Sequence, residues 1–333
     1  MVDPNSQLRY RSLTAHLKAR YGTKVARITL RGGFTCPNRD GTRGRGGCTF
    51  CSGSAMGASH VRTNDIAEQL AVGMRRVSRR YRADRFVAYF NDYSATYAPT
   101  DRLAKLYGAA LKPDDVVGLA IGTRPDCLPP DVLDLLSEFN EKTDLWVELG
   151  LQTAHQDRLD AINRCHTVEE FAQAVLALAK RDIAVCAHVI LGLPGETCQR
   201  DMETAEFLSR LPIAGIKIHN FHVLRGSKME QAWNRGEMEQ PPSLDEHVRR
   251  TRLFLERIPA QVVILRVAGD APKHALIAPN WCLDKQAFLR ALTRHMAEQD
   301  SSQGKFLGAR RADLVKRLDG FRPSDHETHQ DND

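Results

Sequence analysis

The sequence has no apolar run approaching the ~18–20 residues that a helix needs to cross a bilayer; stretches such as Val189–Leu193 stop well short. Its first residues, Met1-Val2-Asp3-Pro4-Asn5-Ser6, lack both the basic and the apolar region of a secretory signal. A soluble chain that stays in the cytoplasm without membrane contact is the expectation. Low-complexity tracts, an excess of Gly or Pro, and any fixed-period repeat are also missing, which argues against fibres, disordered scaffolds and solenoids. No nucleophile–base motif and no phosphate-cradling glycine loop stands out, so an ordinary hydrolase or aldolase has little support.

What is present is a chain of 333 residues, 42% hydrophobic and 26% charged, long enough for one large domain or two small ones. The 47 basic and 41 acidic residues leave a net charge of +6, which permits a polyanionic partner without requiring one. From Arg85 to Val267, short β-branched or apolar runs alternate with helical patterns, the signature of βαβ units. Strands are predicted near 25–30, 86–90, 116–121, 145–149, 184–190, 215–221 and 262–267, with helices at 65–81, 100–110, 130–140, 167–181, 198–210 and 244–257. Strand-then-helix order closes most naturally into an α/β fold, a partial or full (β/α) barrel with chemistry at the C-terminal strand ends. An open doubly wound sheet is the alternative. Three regions follow: a basic N-terminal arm over 1–24, the barrel core over 25–285, and a C-terminal helix and tail over 286–333, disordered from about Asp300.

In a reducing compartment, clustered cysteines point to metal or catalysis rather than disulfides, and the chain has eight. Cys36, Cys48 and Cys51 cluster as C-x11-C-x2-C in a loop after the first strand, with six glycines between Arg31 and Cys51. Such Gly-rich, Arg-rich sequence cannot form a packed core, so unconnected buried thiols are a poor account. A structural zinc would want a fourth ligand, for which His60 is nearby. Three thiolates on a [4Fe–4S] cluster instead leave one iron free for a small molecule, which implies chemistry there. The other cysteines, Cys127, Cys165, Cys186, Cys198 and Cys282, form no second close set and are expected to be buried, inert thiols.

Further motifs follow in order: Thr35-Cys36-Pro37-Asn38, Cys48-Thr49-Phe50-Cys51, Gly122-Thr123-Arg124-Pro125-Asp126, Glu148-Leu149-Gly150-Leu151-Gln152-Thr153 and Gly192-Leu193-Pro194-Gly195-Glu196. With the βα series they resemble the radical S-adenosylmethionine (SAM) superfamily, and within it the YhcC-like subfamily, up to about residue 285. The wide first cysteine gap departs from the superfamily's common C-x3-C-x2-C and is similar to the Elp3-like radical enzymes. The resemblance implies a barrel of the radical SAM type with a [4Fe–4S] cluster on Cys36, Cys48 and Cys51. It also implies S-adenosyl-L-methionine on the fourth iron and its reductive cleavage to a 5′-deoxyadenosyl radical. A one-electron donor such as flavodoxin or ferredoxin would be the partner.

The resemblance also implies cofactor contacts. Phe50, between two ligands, would lie near the adenine, or simply pack its loop. Asn91, with Asp92 and Ser94, follows the second strand where many members carry a Gly-Gly-Glu segment for the methionine amino group; that segment is absent here. Glu148 and Gln152 share one face of a strand and would meet the ribose or methionine part, with a salt bridge as the bland alternative for Glu148. His188, Ile190 and the Gly192–Glu196 turn resemble the adenine-contacting strand, although Glu196 would serve equally as a helix N-terminal charge. Arg124 suits either a clamp for a carboxylate or phosphate, or an ion pair with Asp126 or Glu148. Lys217 and His219 share a strand face toward substrate or cofactor, or toward the core.

Basic residues gather in three runs: Arg9, Arg11, Lys18, Arg20, Lys24 and Arg27; Arg39, Arg43 and Arg45; and Arg75, Arg76, Arg79, Arg80 and Arg82. On one face they would hold a nucleic-acid backbone, and the Elp3-like resemblance suggests tRNA or another RNA as substrate. Solvated helix faces are the plain alternative. The rival to an enzyme is a non-catalytic zinc or iron–sulfur binding module, which predicts metal without cofactor cleavage.

Overall fold

The computed structural model describes residues 8–52 and 63–307. Its helices are α1 (Leu13–Tyr21), α2 (Pro37–Asp40), α3 (Ile66–Tyr81), α4 (Thr100–Ala110), α5 (Pro130–Asn140), α6 (Gln156–Ala161), α7 (Val168–Ala179), α8 (Cys198–Ser209), α9 (Lys228–Asn234), α10 (Leu244–Leu255) and α11 (Lys285–Glu298). The strands are β1 (Val25–Leu30), β2 (Arg85–Phe90), β3 (Val116–Thr123), β4 (Asp144–Gln152), β5 (Ala184–Leu191), β6 (Gly215–Asn220), β7 (Val223–Leu224), β8 (Val263–Arg266) and β9 (Leu276–Ala278).

β1 to β6 and β8 form one seven-stranded parallel sheet whose spatial order is its chain order. A doubly wound sheet needs a reversal of direction, and there is none. Successive crossovers of one hand carry the helices to one face, and the sheet curls into a half-barrel with β1 and β8 as its edges. Alternation sorts the side chains. Along β4, Leu145, Val147, Leu149 and Leu151 enter the core beneath the helices, while Glu148, Gly150 and Gln152 face an inner cavity. On the outer side, Leu119, Ile121, Val185, Val189, Ile216 and Ile218 meet Tyr107, Phe139, Phe171 and Phe254 from the helices. Each such side chain contributes about 1.5–3 kcal/mol by burial. Caps fix where the helices begin: Asp65, Thr167, Thr197 and Ser243 each accept a backbone N–H three residues on, and Thr167 forms a capping box with Glu170.

Residues 8–24 are not a free arm. The Ile264 N–H donates to the Arg11 carbonyl at 2.8 Å, and Ser12 extends the β8 edge. His16 lies edge-on to Trp146, with ring centroids 5.8 Å apart, and the Tyr21 hydroxyl donates to the Val117 carbonyl at 3.1 Å. This segment therefore caps the N-terminal ends of the strands. Arg27, grouped in sequence with that basic run, projects inward from β1 onto Glu148. At the other end, α11 joins the main core through Phe288, Leu292 and Met296. Order continues past Asp300: Ser301 is buried and the Gln303 side-chain amide donates to the Pro259 and Val262 carbonyls at 2.7 and 2.8 Å. Residues 308–333, the rest of the expected tail, and His60 lie outside the described residues. No described helix is long and apolar enough to cross a membrane.

Candidate active site

The inward faces of the strands and the loops at their C-terminal ends enclose a cavity of about 660 Å³. Its rim is the cysteine loop, and that loop is tied down on three sides. Pro37 starts α2 directly after Cys36, so Arg39 and Asp40 donate their N–H groups back to the Cys36 carbonyl at 2.8 and 3.2 Å. The Asn38 amide donates to the Asn163 carbonyl at 2.5 Å, and Asn163 in turn donates to the Gly47 carbonyl at 2.8 Å. The Thr49 N–H reaches the Ile162 carbonyl at 3.0 Å, and the Met229 N–H reaches the Thr49 carbonyl at 3.1 Å.

Cys36, Cys48 and Cys51 all line the cavity. N–H groups approach two of the sulfurs: Arg164 Nη1 lies 3.5 Å and Asn38 Nδ2 3.7 Å from Cys48 Sγ, and Arg39 Nη1 lies 3.9 Å from Cys51 Sγ. Burial and the neighbouring Cys48 push the Cys51 thiol up to about 11, so a bound cation is what would hold it as thiolate at neutral pH. Among the described residues, no three His, Cys, Asp or Glu side chains converge closely enough for a single metal ion. Glycine at 150 makes room for two of the lining side chains: a Cβ there would stand 2.5 Å from Arg164 Nη2 and 2.6 Å from Gln152 Nε2.

The floor, at mid-strand, is a charged network around Glu148, whose side chain is fully buried. One carboxylate oxygen pairs with Arg27 of β1; the other accepts from Lys217 of β6 at 2.7 Å and the Tyr89 hydroxyl of β2 at 2.8 Å, and lies 2.6 Å from His188 Nε2 of β5. Burial alone would raise the Glu148 carboxyl, but Arg27, Lys217 and His188 outweigh it and hold it well below the usual range. Burial, chiefly, lowers Lys217 to about 8 and His188 to about 4, so at neutral pH the lysine is charged and the histidine is not.

The structure brings Phe50, Asn91, Glu148, Gln152 and His188 to the one cavity, with Arg124, Lys217 and His219. Their states differ. Phe50 also packs on the apolar cluster of Leu159, Leu193 and Phe221. Asn91 Oδ1 lies 2.5 Å from the Tyr89 hydroxyl oxygen, whereas its neighbour Asp92 turns away to accept the Gly32, Gly33 and Phe34 N–H groups at 2.9–3.1 Å. Gln152, at the bulge ending β4, has φ +82°, a strained value for a residue with a side chain. Both Glu148 oxygens are engaged by protein groups, which is the salt-bridge alternative. Arg124 forms a two-pronged pair with Asp126 at 2.8 and 2.9 Å. Glu196 is buried against Thr153, and burial pushes its carboxyl up to about 8. Of the remaining thiols, Cys127, Cys186 and Cys282 are buried as expected, but Cys165 and Cys198 are only partly so, because both sit in or beside loops at helix starts.

Sequence reasoning missed four members: Arg27, Tyr89, Arg164 and Arg266. Strand parity was the available signal for two of them, since Arg27 shares a face with Thr29, and Tyr89 with Asn91. Arg164 comes from the α6–α7 loop and Arg266 from beyond a register shift between β6 and β8, where parity gives no guide.

Comparison with known proteins identifies the family. Residues 38–208 match the model of the Radical SAM superfamily, and residues 213–298 that of the Radical_SAM C-terminal domain. The chain is 42% identical over 303 residues to the protein YtqA of Bacillus subtilis (strain 168), spanning 91% of this chain and 94% of that one. It is 39% identical over 293 residues to the protein YhcC of Escherichia coli (strain K12), spanning 88% and 93%. A shorter match, 29% identical over 162 residues, covers 47% of this chain and 34% of a tRNA uridine(34) acetyltransferase of Dehalococcoides mccartyi (strain CBDB1). Among solved structures, the archaeal Elp3 of Methanocaldococcus infernus lacking its N-terminus superposes with a TM-score of 0.65 at 17% identity; the match covers 84% of this chain and 64% of that one, which shows a shared fold. With the half-barrel, the cysteine loop and these full-length relatives in agreement, the chain belongs to the radical SAM superfamily, as an enzyme of its YhcC-like group.

Proposed function

We propose that Cys36, Cys48 and Cys51 hold a [4Fe–4S] cluster and that the cavity below it binds S-adenosyl-L-methionine and a substrate. The observation that carries this reading is the facing of all three thiols into one cavity on a half-barrel, with N–H donors at the Cys48 and Cys51 sulfurs. When bound, the reduced cluster and S-adenosylmethionine supply a 5′-deoxyadenosyl radical that takes hydrogen from substrate. The chain's own residues do the placing. Arg39, Arg164 and Asn38 direct N–H groups at the sulfurs and so favour their anionic state. Phe50, Asn91, Gln152 and His188 hold the cofactor, and Glu148 acts as a positioning residue by locking His188 and Lys217. An electron enters from a one-electron donor of the flavodoxin or ferredoxin kind, in a reducing cytoplasm where all eight cysteines stay free.

An RNA substrate, tRNA in particular, is supported by the tRNA-directed name of the shorter relative and by Arg75, Arg76, Arg79 and Arg80, exposed along α3. A gel-shift titration with tRNA should shift at low salt and weaken steeply as salt rises; a flat titration at low salt rejects RNA.

The radical reading is tested on anaerobically reconstituted protein by counting iron and sulfide, adding S-adenosylmethionine with dithionite, and assaying 5′-deoxyadenosine. About four irons and product in the wild type, with neither in Cys48→Ala, is the expected result. Bound zinc, or a cluster that never cleaves the cofactor, rejects it.

A further inference from the structure

We propose that the wall of the cavity formed by β6 and β8 is a subsite for an oxyanion of the substrate, a phosphate or carboxylate, with Arg266 as its fork and Lys217 and His219 beside it. The proposal rests on the cavity being the active site of the radical enzyme. The first argument is charge. Three cationic side chains, Arg27, Lys217 and Arg266, gather at the floor, where Glu148 is the buried carboxylate and is already shared by Arg27 and Lys217. Asp270 also borders the cavity, but it is exposed and pairs with Lys285 at 3.0 Å. Arg266 makes no ion pair among the described residues. Its Nη2 reaches the His219 ring, 2.6 Å from Nε2, and its Nε is fully enclosed without a partner. A partly buried cation without a counter-charge costs a fold stability, which a guest of opposite charge would offset.

The second argument is rigidity. Lys217 and Arg266 are register partners on adjacent parallel strands, so both heads arise from one level of the sheet. The loop after β8 closes tightly over them: the Gly269 N–H donates to Asn220 Oδ1 at 2.8 Å, and a Cβ on Gly269 would stand 3.3 Å from both Arg266 Nη2 and His219 Nδ1. A guanidinium held this way is organised before its guest arrives. The third argument is competition. At the rim, Arg124 is taken by Asp126, and Arg164 by the Gly150 carbonyl at 2.7 Å and by His166 at 2.8 Å. Arg266, beyond its Nη2 contact with His219, has donors left for something else, and a planar fork matches two oxygens of a phosphate or carboxylate.

The test is calorimetric titration of the reconstituted full chain with inorganic phosphate and, separately, acetate; the tighter of the two names the source of the oxyanion. Arg266→Gln should weaken the preferred anion about tenfold or more, and Arg266→Lys should recover part of the loss. Arg266→Leu gives up the contact with the His219 ring together with a charge that has no counter-charge, and should unfold within about 2 °C of the wild type. Three results overturn the proposal: no anion binding by the wild type or equal binding by Arg266→Gln; displacement of phosphate by S-adenosylmethionine, which would give the site to the cofactor; or a clearly lower unfolding temperature for Arg266→Leu, which would make the residue structural. Heat of anion binding is independent of iron content and of 5′-deoxyadenosine, so failure of the radical reading shows separately on the same preparation.

Discussion

Rim and floor of the cavity use the same side chains to different ends. At the rim, Arg39, Arg124 and Arg164 stand around three thiols, and the one carboxylate among them, Asp126, answers Arg124. On the floor, Arg27 and Lys217 close on a carboxylate of the chain itself, with Tyr89 and His188 completing its shell. Rim groups are arranged for a guest, whereas the part of the floor around Glu148, Arg266 apart, is complete without one. The rim should therefore carry chemistry at small cost to the fold when altered, and the floor should carry the fold.

The largest effect tests the first half of that contrast. The triple variant of Cys36, Cys48 and Cys51 to Ala should lose 5′-deoxyadenosine formation by roughly a thousandfold or more while its metal-free form unfolds within about 2 °C of the metal-free wild type. A large drop in that unfolding temperature would mean that the thiols are core groups and that the contrast is false.

Glu148→Gln tests the other half. Removing the shared carboxylate leaves Arg27 and Lys217 enclosed without a counter-charge, a loss of about 3–5 kcal/mol that urea unfolding would register. Combining Glu148→Leu with Lys217→Met and Arg27→Met should recover much of it, because a buried charged triad exchanged for apolar groups is often neutral. Failure of the triple variant to recover would show that Tyr89 and His188, not the charges, set the cost.

The two regions also differed in how far the sequence displayed them. The cysteines, their spacing and the seven strands were legible because hydrophobic alternation and short-range motifs are local properties; β1 over Val25–Leu30 and α4 over Thr100–Ala110 fall at their predicted bounds. The floor was half legible. Parity put Glu148, Gln152, Lys217 and His219 on inward faces, but which cation meets Glu148 is decided by pairing β1 with β2 and the curl that brings β1 toward β6, both long-range. Arg27 was therefore read as one of a basic run. The short helices α2, α6 and α9 and the β7–β9 pair escaped for a simpler reason: elements of two to seven residues carry too few periods to be read.

A subtler division between function and fold lies at Gln152, on the boundary of the two regions. Its φ of +82° suits glycine. Gln152→Gly should stabilise the chain by roughly 1 kcal/mol through relief of strain, yet weaken S-adenosylmethionine by about tenfold, measured by calorimetry on reconstituted protein. Gain of stability with unchanged cofactor affinity would place Gln152 outside the cofactor's reach.

The smallest effect separates the floor from the ordinary core through acid sensitivity. Burial lowers His188 and His222 to about 4 in the cavity, and lowers His247 to about 3 at a distant position, stacked 5.1 Å from Trp281 and 5.2 Å from Phe288 with neither ring nitrogen partnered. Each folded-state value lies below the ordinary 6.5, so as pH falls the unfolded chain takes the proton first. The stability is intact above about 6.5 and is lost progressively down to about 4. Glu148, held below its ordinary value of 4.5, adds its loss only beneath that window. Glu196, raised by burial, works the other way, since the folded chain takes its proton first. The histidine contribution is read by difference: between pH 7 and 4 the urea midpoint of His247→Phe, which keeps the Trp281 stack and removes one titrating ring, should fall less than that of the wild type, and that of His188→Gln less by a similar step. If only His188→Gln does so, acid sensitivity belongs to the floor; if neither does, the neutral histidines described for the cavity are wrong.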